Sequence, residues 1–183
     1  MLNCRPLGGA EVCMAAYQAL RILLVDDNQH MRTITATILA SAGFRCIREV
    51  RDGAEAIEAL RDWPADLAIV DFNMAPIDGV EFTRRVRRSG DSPNPYLPII
   101  MMTGHSERRR VIEARDAGVT EFMVKPITPK AVLYRIQTLI QKPRPFVTTE
   151  NYFGPCRRRI SNPAFTGPWR RGSDAALESA KAS

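Results

Sequence analysis

Short, continuous apolar runs recur along the middle of the chain, and four of them end at a polar or charged residue. They occupy residues 21–25, 67–70, 99–102 and 121–124. Runs of this length, bounded by turn residues, are typical of strands buried on both faces, as in a parallel sheet with helices on either side. A weaker run over residues 44–50 is interrupted by charged residues and predicts an edge strand.

Segments with helical periodicity alternate with these strands, and their beginnings carry capping signals. Asn28 and Thr128 are expected to be the N-caps of the first and last helices, because their side chains can accept hydrogen bonds from free backbone N–H groups. Asp52 and Asp78 each precede a glutamate by three residues, the pattern of a capping box. Ser106 is the expected N-cap of the fourth helix. Five strands alternating with five helices predict an α/β fold, a doubly wound five-stranded parallel sheet.

The domain boundaries follow from where this periodicity begins and ends. We predict an N-terminal extension at residues 1–20, one domain at residues 21–141 and a C-terminal extension at residues 142–183. The last segment is rich in proline and lacks periodicity, so it is expected to have little regular structure. Met14 opens a segment that leads directly into the first strand, and we predict that it is the natural start.

Charge is unevenly distributed along the chain. Residues 21–141 contain 17 basic and 16 acidic residues, whereas residues 142–183 contain 8 basic and 3 acidic residues, so most of the net charge of +6 lies in the C-terminal extension. The four cysteines form no C-x-x-C pair and have no histidine at metal-ligand spacing, which favours reduced thiols in a cytoplasmic protein. No apolar run is long enough for a membrane span, and residues 1–20 lack the apolar core of a signal peptide.

The C-terminal extension contains a short repeat, aromatic-x-Gly-Pro-x-Arg-Arg, at residues 152–158 and 165–171. Two copies of this length are too short for a solenoid, but they can form two docking motifs or one folded clasp. The basic, aromatic-bearing segment can also bind nucleic acid through phosphate contacts and stacking, or serve as a disordered, solubilising tail. The sequence leaves these alternatives open.

The polar residues that follow the four strong runs are of kinds that can share one reaction. Parallel strands end at one edge of a sheet, so these side chains are expected to converge there. They are Asp26, Asp27, Asp71, Thr103 and Lys125. Three carboxylates repel one another unless a hard cation is bound, and Mg²⁺ suits such an oxygen-rich site. The lysine and threonine can hold a phosphoryl group, and a carboxylate beside Mg²⁺ can form an aspartyl phosphate.

These motifs resemble those of the receiver domain of two-component response regulators. The segments that match the family's signatures in order and approximate spacing are Asp26-Asp27, the loop from Asp71 to Gly79, Thr103-Gly104 and Lys125-Pro126. The resemblance covers about residues 21–141. It implies a CheY-like, flavodoxin-like fold with the strand order 2-1-3-4-5.

The resemblance also implies a role for each matching residue. Asp71 would accept a phosphoryl group from a histidine kinase or a phosphotransfer protein. The Mg²⁺ ligands would be Asp26, Asp27, Asp71 and the backbone carbonyl of Asn73. Thr103 and Lys125 would bind phosphoryl oxygens, and Phe122 would be the aromatic residue that changes rotamer with Thr103. The remaining residues that line the site would be Gly104, His105 and Pro126.

The resulting hypothesis is a stand-alone receiver, a signalling protein rather than an enzyme, whose phosphorylation switches binding to an unknown downstream protein. The chain after residue 141 lacks the length and periodicity of a helix-turn-helix, so no DNA-binding domain is expected. A phosphatase of the haloacid dehalogenase type also forms an aspartyl phosphate. It needs a second aspartate two residues after the nucleophile, where this chain has Asn73, and it carries its acid pair late in the chain.

Overall fold

The structure, a computed structural model, describes residues 18–88, 90, 92–104 and 108–157. Within these residues, five strands and five helices alternate before two further strands. Their bounds are β1 Arg21–Val25, α1 Gln29–Ser41, β2 Cys46–Val50, α2 Gly53–Asp62, β3 Leu67–Asp71, α3 Gly79–Arg88, β4 Ile99–Thr103, α4 Arg108–Ala117, β5 Glu121–Val124, α5 Pro129–Gln141, β6 Phe146–Thr149 and β7 Tyr152–Pro155.

The first five strands form one parallel sheet in the order β2-β1-β3-β4-β5. This arrangement confirms the predicted doubly wound fold and its strand order. Strands β3 and β4 are buried at every position, and β1 at all but its first residue, as their apolar runs predict. β2 lies at one edge of the sheet, and all its residues except Val50 are exposed or half-buried, which accounts for its charged residues.

Alternation along the strands divides the core between the two faces of the sheet. Leu23 and Val25 of β1 pack on one face with residues of α2 and α3. Ile22 and Leu24 pack on the other face with residues of α1 and α5. Burying each such side chain contributes roughly 1.5–3 kcal/mol. A third cluster joins α3 and α4 beneath Phe72, so helices cover both faces.

The predicted caps position the helices above the sheet. The side chain of Asn28 accepts hydrogen bonds from the backbone N–H groups of His30 and Met31. Asp52 and Thr128 cap α2 and α5 in the same manner. The predicted capping box of α2 is altered, because the carboxylate of Glu55 accepts from the N–H of Arg51 and not from that of Asp52. The predicted cap Ser106 lies outside the described residues.

The C-terminal extension is more structured than its sequence predicts. Strands β6 and β7 form an antiparallel hairpin over residues 146–155, where we expected little regular structure. The reason is tertiary: the rings of Phe146 and Phe153 pack 5.6 Å apart, and each lies against Tyr96, at centroid distances of 5.0 and 5.2 Å. Strands this short carry little periodic signal of their own.

Polar contacts attach the hairpin near the amino ends of β4 and β5. The hydroxyl of Tyr152 donates to the carbonyl of Pro155 at 2.8 Å, and the guanidinium of Arg157 lies 3.9 Å from the Tyr152 ring centroid. Arg157 also pairs with Asp116 of α4 at 3.3 Å. Arg144 donates to the carbonyl of Thr120 at 2.9 Å. The first copy of the Gly-Pro repeat is therefore largely a structural element, while the second copy and Met14 lie outside the described residues.

The described helices are all too short or too polar to cross a membrane.

Candidate functional site

Three carboxylates meet where the strand order reverses. β1 and β3 are neighbours in the sheet, and their register pairs Val25 with Val70, so that Asp26 and Asp71 follow paired positions. Carboxylate oxygens of Asp26, Asp27 and Asp71 lie within 4.8 Å of one another. Asp26 is fully buried, Asp71 nearly so, and Asp27 is exposed. The predicted convergence at the carboxyl edge is therefore present.

This donor set fits a hard divalent cation. Carboxylates so close together repel one another, and Mg²⁺ is commonly held by one or two carboxylates with water in the remaining positions. The side chain of Asp26 is already oriented, because its Oδ1 accepts the backbone N–H of Asn28 at 3.0 Å. Asp27, being exposed, leaves one side of the group accessible to solvent.

Lys125 places an ammonium group among these carboxylates. Its Nζ lies 2.9 Å from Asp71 Oδ1 and 3.2 Å from Asp26 Oδ2. Burial raises the pKa of the Asp71 carboxyl, and the hydrogen bond and charge of Lys125 only partly offset this effect. Burial alone would lower the pKa of Lys125, but its bonds and charge interactions with both aspartates raise that pKa overall. The lysine is therefore a fixed cation at neutral pH.

Two further predicted residues lie on the adjoining strands. Thr103 ends β4 and is buried. The backbone N–H of Phe72 donates to the carbonyl of Met102, and that of Lys125 donates to the carbonyl of Thr103, each at 2.9 Å. These bonds align the carboxyl ends of β3, β4 and β5 along the same edge of the sheet. Phe122 lies on β5, partly buried against the third core cluster.

The predicted lining residues are only partly described. Gly104 is exposed directly after β4, and Pro126 is exposed directly after Lys125, to which it is joined by a cis peptide bond. His105 lies outside the described residues. Sequence order alone thus locates two of the three lining residues beside the carboxyl edge.

The model of the response regulator receiver domain family matches residues 22–137. This chain belongs to that family. The matched residues include the whole parallel sheet except Arg21, and every predicted site residue. The β6–β7 hairpin of this receiver lies beyond the matched range.

Individual relatives of this receiver are chemotaxis proteins. Chemotaxis protein CheY-3 of Vibrio cholerae is 31% identical over 123 residues, which make up 67% of this chain and 93% of that protein. Chemotaxis protein CheY of Pseudomonas aeruginosa is 33% identical over 123 residues, or 67% of this chain and 98% of that protein. A solved receiver domain of a Pseudomonas aeruginosa sensor histidine kinase, with a magnesium ion coordinated in its active site cleft, aligns with a TM-score of 0.60 and 26% identity, covering 67% of this chain and 98% of that chain.

The receiver's Asp71 loop also contacts α4 in a way that the sequence did not indicate. Arg110 donates from Nη2 to Oδ1 of Asn73 at 2.6 Å, and its guanidinium carbon lies 4.1 Å from the centroid of the Phe72 ring. Three successive arginines, at residues 108–110, open α4, and such a run predicts a solvated face, with partner binding as the alternative. No local pattern could reveal this contact, because it joins residues from different strand-to-helix units.

Gly79 allows α3 to begin directly against the backbone of Asp71. A Cβ at position 79 would overlap the carbonyl oxygen of Asp71 and approach the side chain of Met101. We expect Gly79→Ala to lower the free energy of unfolding by about 2 kcal/mol, because backbone atoms in a packed core can shift only at a cost. Urea unfolding measures this difference. Gly90→Ala is the control, because a Cβ there meets nothing within 4 Å; equal losses in the two variants would contradict the prediction.

Proposed function

We propose that this receiver accepts a phosphoryl group on Asp71 from a histidine kinase or a phosphotransfer protein, with Mg²⁺ bound, and thereby switches its binding to another protein. The observation that carries the proposal is the grouping of the three carboxylates, within 4.8 Å of one another, beside a lysine whose Nζ is 2.9 Å from Asp71 Oδ1. Such a site can position a phosphoryl group and neutralise its charge, which is most of what phosphoryl transfer requires.

The nucleophile would be the carboxylate of Asp71. One of its oxygens attacks the phosphorus atom, the bond from phosphorus to the donor breaks, and the donor leaves with the electron pair of that bond. Burial raises the pKa of Asp71, and the hydrogen bond and charge of Lys125 oppose that effect.

Mg²⁺ would be held by Asp26, Asp27, Asp71 and the backbone carbonyl of Asn73, and it would supply charge neutralisation for the phosphoryl oxygens. Lys125 would exchange its contact with Asp71 for one phosphoryl oxygen. Thr103 would donate its hydroxyl to another, with Phe122 changing rotamer in response. A rotamer change of this kind can shift the equilibrium between two conformations of the protein surface. A local change in charge thereby alters the binding of a partner.

The output of the phosphorylated receiver would be binding to another protein. Among the described residues, the chain after α5 forms a short hairpin that packs on the receiver. Nucleic-acid binding through the rest of the tail stays a prediction. We also propose a cytoplasmic location, in keeping with the free thiols of Cys46 and Cys156.

Incubation of the purified protein with acetyl phosphate and Mg²⁺ should add one phosphoryl group at Asp71. Mass spectrometry of the intact protein and of its peptides measures the addition and locates it. Asp71→Asn should take up no label, because an amide is a poor nucleophile, whereas Asp62→Asn, which removes an exposed carboxylate, should be labelled like the wild type. Labelling of Asp71→Asn, or no labelling of the wild type, would refute the proposal.

A further inference from the structure

The side chain of Arg110 is held on two sides by the residues that follow Asp71. On one side, its guanidinium lies over the ring of Phe72, a residue only 4% exposed and therefore fixed in the core. On the other side, Nη2 donates to the amide oxygen of Asn73 at 2.6 Å. An arginine side chain normally has many rotamers, so two contacts of this kind restrict where its charge lies.

The described partners of Arg110 and Lys125 differ in charge. Lys125 contacts two carboxylates, so its charge is largely offset before any phosphate arrives. Among the described residues, the hydrogen-bond partner of Arg110 is the neutral amide of Asn73, and its ring partner is uncharged. Within the described residues, therefore, no acidic partner offsets the charge of the guanidinium, which lies against the two residues that follow Asp71.

We propose that Arg110 is a second phosphate-binding cation of this site, held ready by Asn73 and Phe72 to recruit the anionic phosphodonor. The inference rests on the proposed phosphorylation of Asp71 and adds a residue to it. The planar guanidinium donates to two phosphate oxygens more readily than an ammonium does. The amide oxygen of Asn73 is an uncharged acceptor, which a phosphate oxygen can replace. Because the arginine is already oriented, little further ordering is needed when the donor binds.

With acetyl phosphate as the donor, phosphoryl transfer to Asp71 involves no change of oxidation state. An oxygen of the Asp71 carboxylate forms a bond to phosphorus, the phosphorus–oxygen bond to the acetyl group breaks, and acetate leaves with the electron pair. Arg110 takes no part in bond making or proton transfer. Its contribution is to binding and approach, so it should act most strongly when the donor is dilute.

The experiment measures the initial rate of Asp71 labelling against acetyl phosphate concentration at saturating Mg²⁺. Arg110→Ala should lower the labelling rate about tenfold at low donor concentration and much less at high donor concentration. A tenfold change is the lower end of the effect that electrostatic focusing has on association rates. Raising the ionic strength should slow the wild type toward the variant. Arg110→Lys should recover part of the loss, because it restores charge without the planar fork.

Two further variants separate recruitment from a structural effect. Arg109→Ala removes an exposed arginine from the same turn of α4 and should leave the labelling curve unchanged. Asn73→Ala should cause a smaller loss than Arg110→Ala, and the double variant should be no slower than Arg110→Ala, because Asn73 acts by holding the arginine.

The labelling results separate the role of Arg110 from the proposed function. If the wild type is labelled at Asp71 but Arg110→Ala follows the curve of Arg109→Ala, the role of Arg110 is refuted while the proposed function stands. An equal loss at low and high donor, insensitive to salt, would also refute recruitment and assign Arg110 a structural role. If the wild type takes up no label at Asp71, the proposed function fails and this inference fails with it.

Discussion

Replacing Arg87 with alanine is expected to lower the free energy of unfolding by about 4 kcal/mol, a large fraction of the stability of a domain of this size. Arg87 is only 3% exposed although it lies in α3 among other arginines that face solvent. Burial lowers the pKa of its guanidinium to about 10, so the group is still charged at neutral pH. A buried charge of this kind must be compensated by its surroundings.

The compensation comes from three backbone carbonyls and one aromatic ring. The guanidinium of Arg87 donates to Gly118 at 3.1 Å, to Pro95 at 2.8 Å and to Leu97 at 2.7 Å. Its central carbon lies 5.1 Å from the ring centroid of Phe146 in the hairpin. One side chain thus joins α3, the loop before β4, the turn before β5 and the C-terminal hairpin. Truncation leaves three acceptors without a donor, at about 1–3 kcal/mol each before water enters.

Urea or thermal unfolding measures the loss, and Arg85→Ala provides the matched control on the same helix. Arg85 is about half exposed and pairs with Glu81 at 2.9 Å, so its removal should cost less than about 1 kcal/mol. Arg87→Met keeps much of the volume but leaves the carbonyls unpaired, so it should remain clearly less stable than Arg85→Ala. Equal stability of Arg87→Ala and Arg85→Ala would contradict this account.

The sequence does not reveal the hydrogen-bond partners of Arg87, and the reason is physical. Its burial depends on acceptors that lie in other segments of the chain, and only the folded topology brings them together. The same holds for the β6–β7 hairpin, whose rings pack against Tyr96. Local periodicity reports burial on a regular element, and it does not report polar or aromatic contacts between distant loops.

The parts of the fold and site that the sequence predicted are those that local chemistry determines. Each buried parallel strand needs a continuous apolar run, and parallel strands end at a common edge, so the position of Asp71 beside Asp26 followed without knowledge of any contact. The N-caps were equally local. By contrast, the bond from Arg110 to Asn73 depends on where α4 lies relative to the Asp71 loop, which no spacing along the chain records.

Replacing Lys125 with glutamine is expected to lower the rate of Asp71 labelling by about 100-fold, within the range seen when one oriented donor to a developing charge is removed. The ammonium is 2.9 Å from Asp71 Oδ1 and 3.2 Å from Asp26 Oδ2, so it is positioned for an oxygen of the group transferred to Asp71. Burial raises the pKa of Asp71, and the substitution also removes the ammonium that partly offsets this effect.

The initial rate with acetyl phosphate and saturating Mg²⁺ measures this effect, and Lys130→Gln is the control because it neutralises an exposed lysine only a few residues away. Lys125→Gln should slow labelling at low and high donor alike, because the ammonium acts on the reacting group itself. This behaviour differs from that expected for Arg110→Ala, whose loss is concentrated at low donor. A reduction of less than about tenfold for Lys125→Gln would show that the lysine mainly balances the carboxylates and contributes little to transfer.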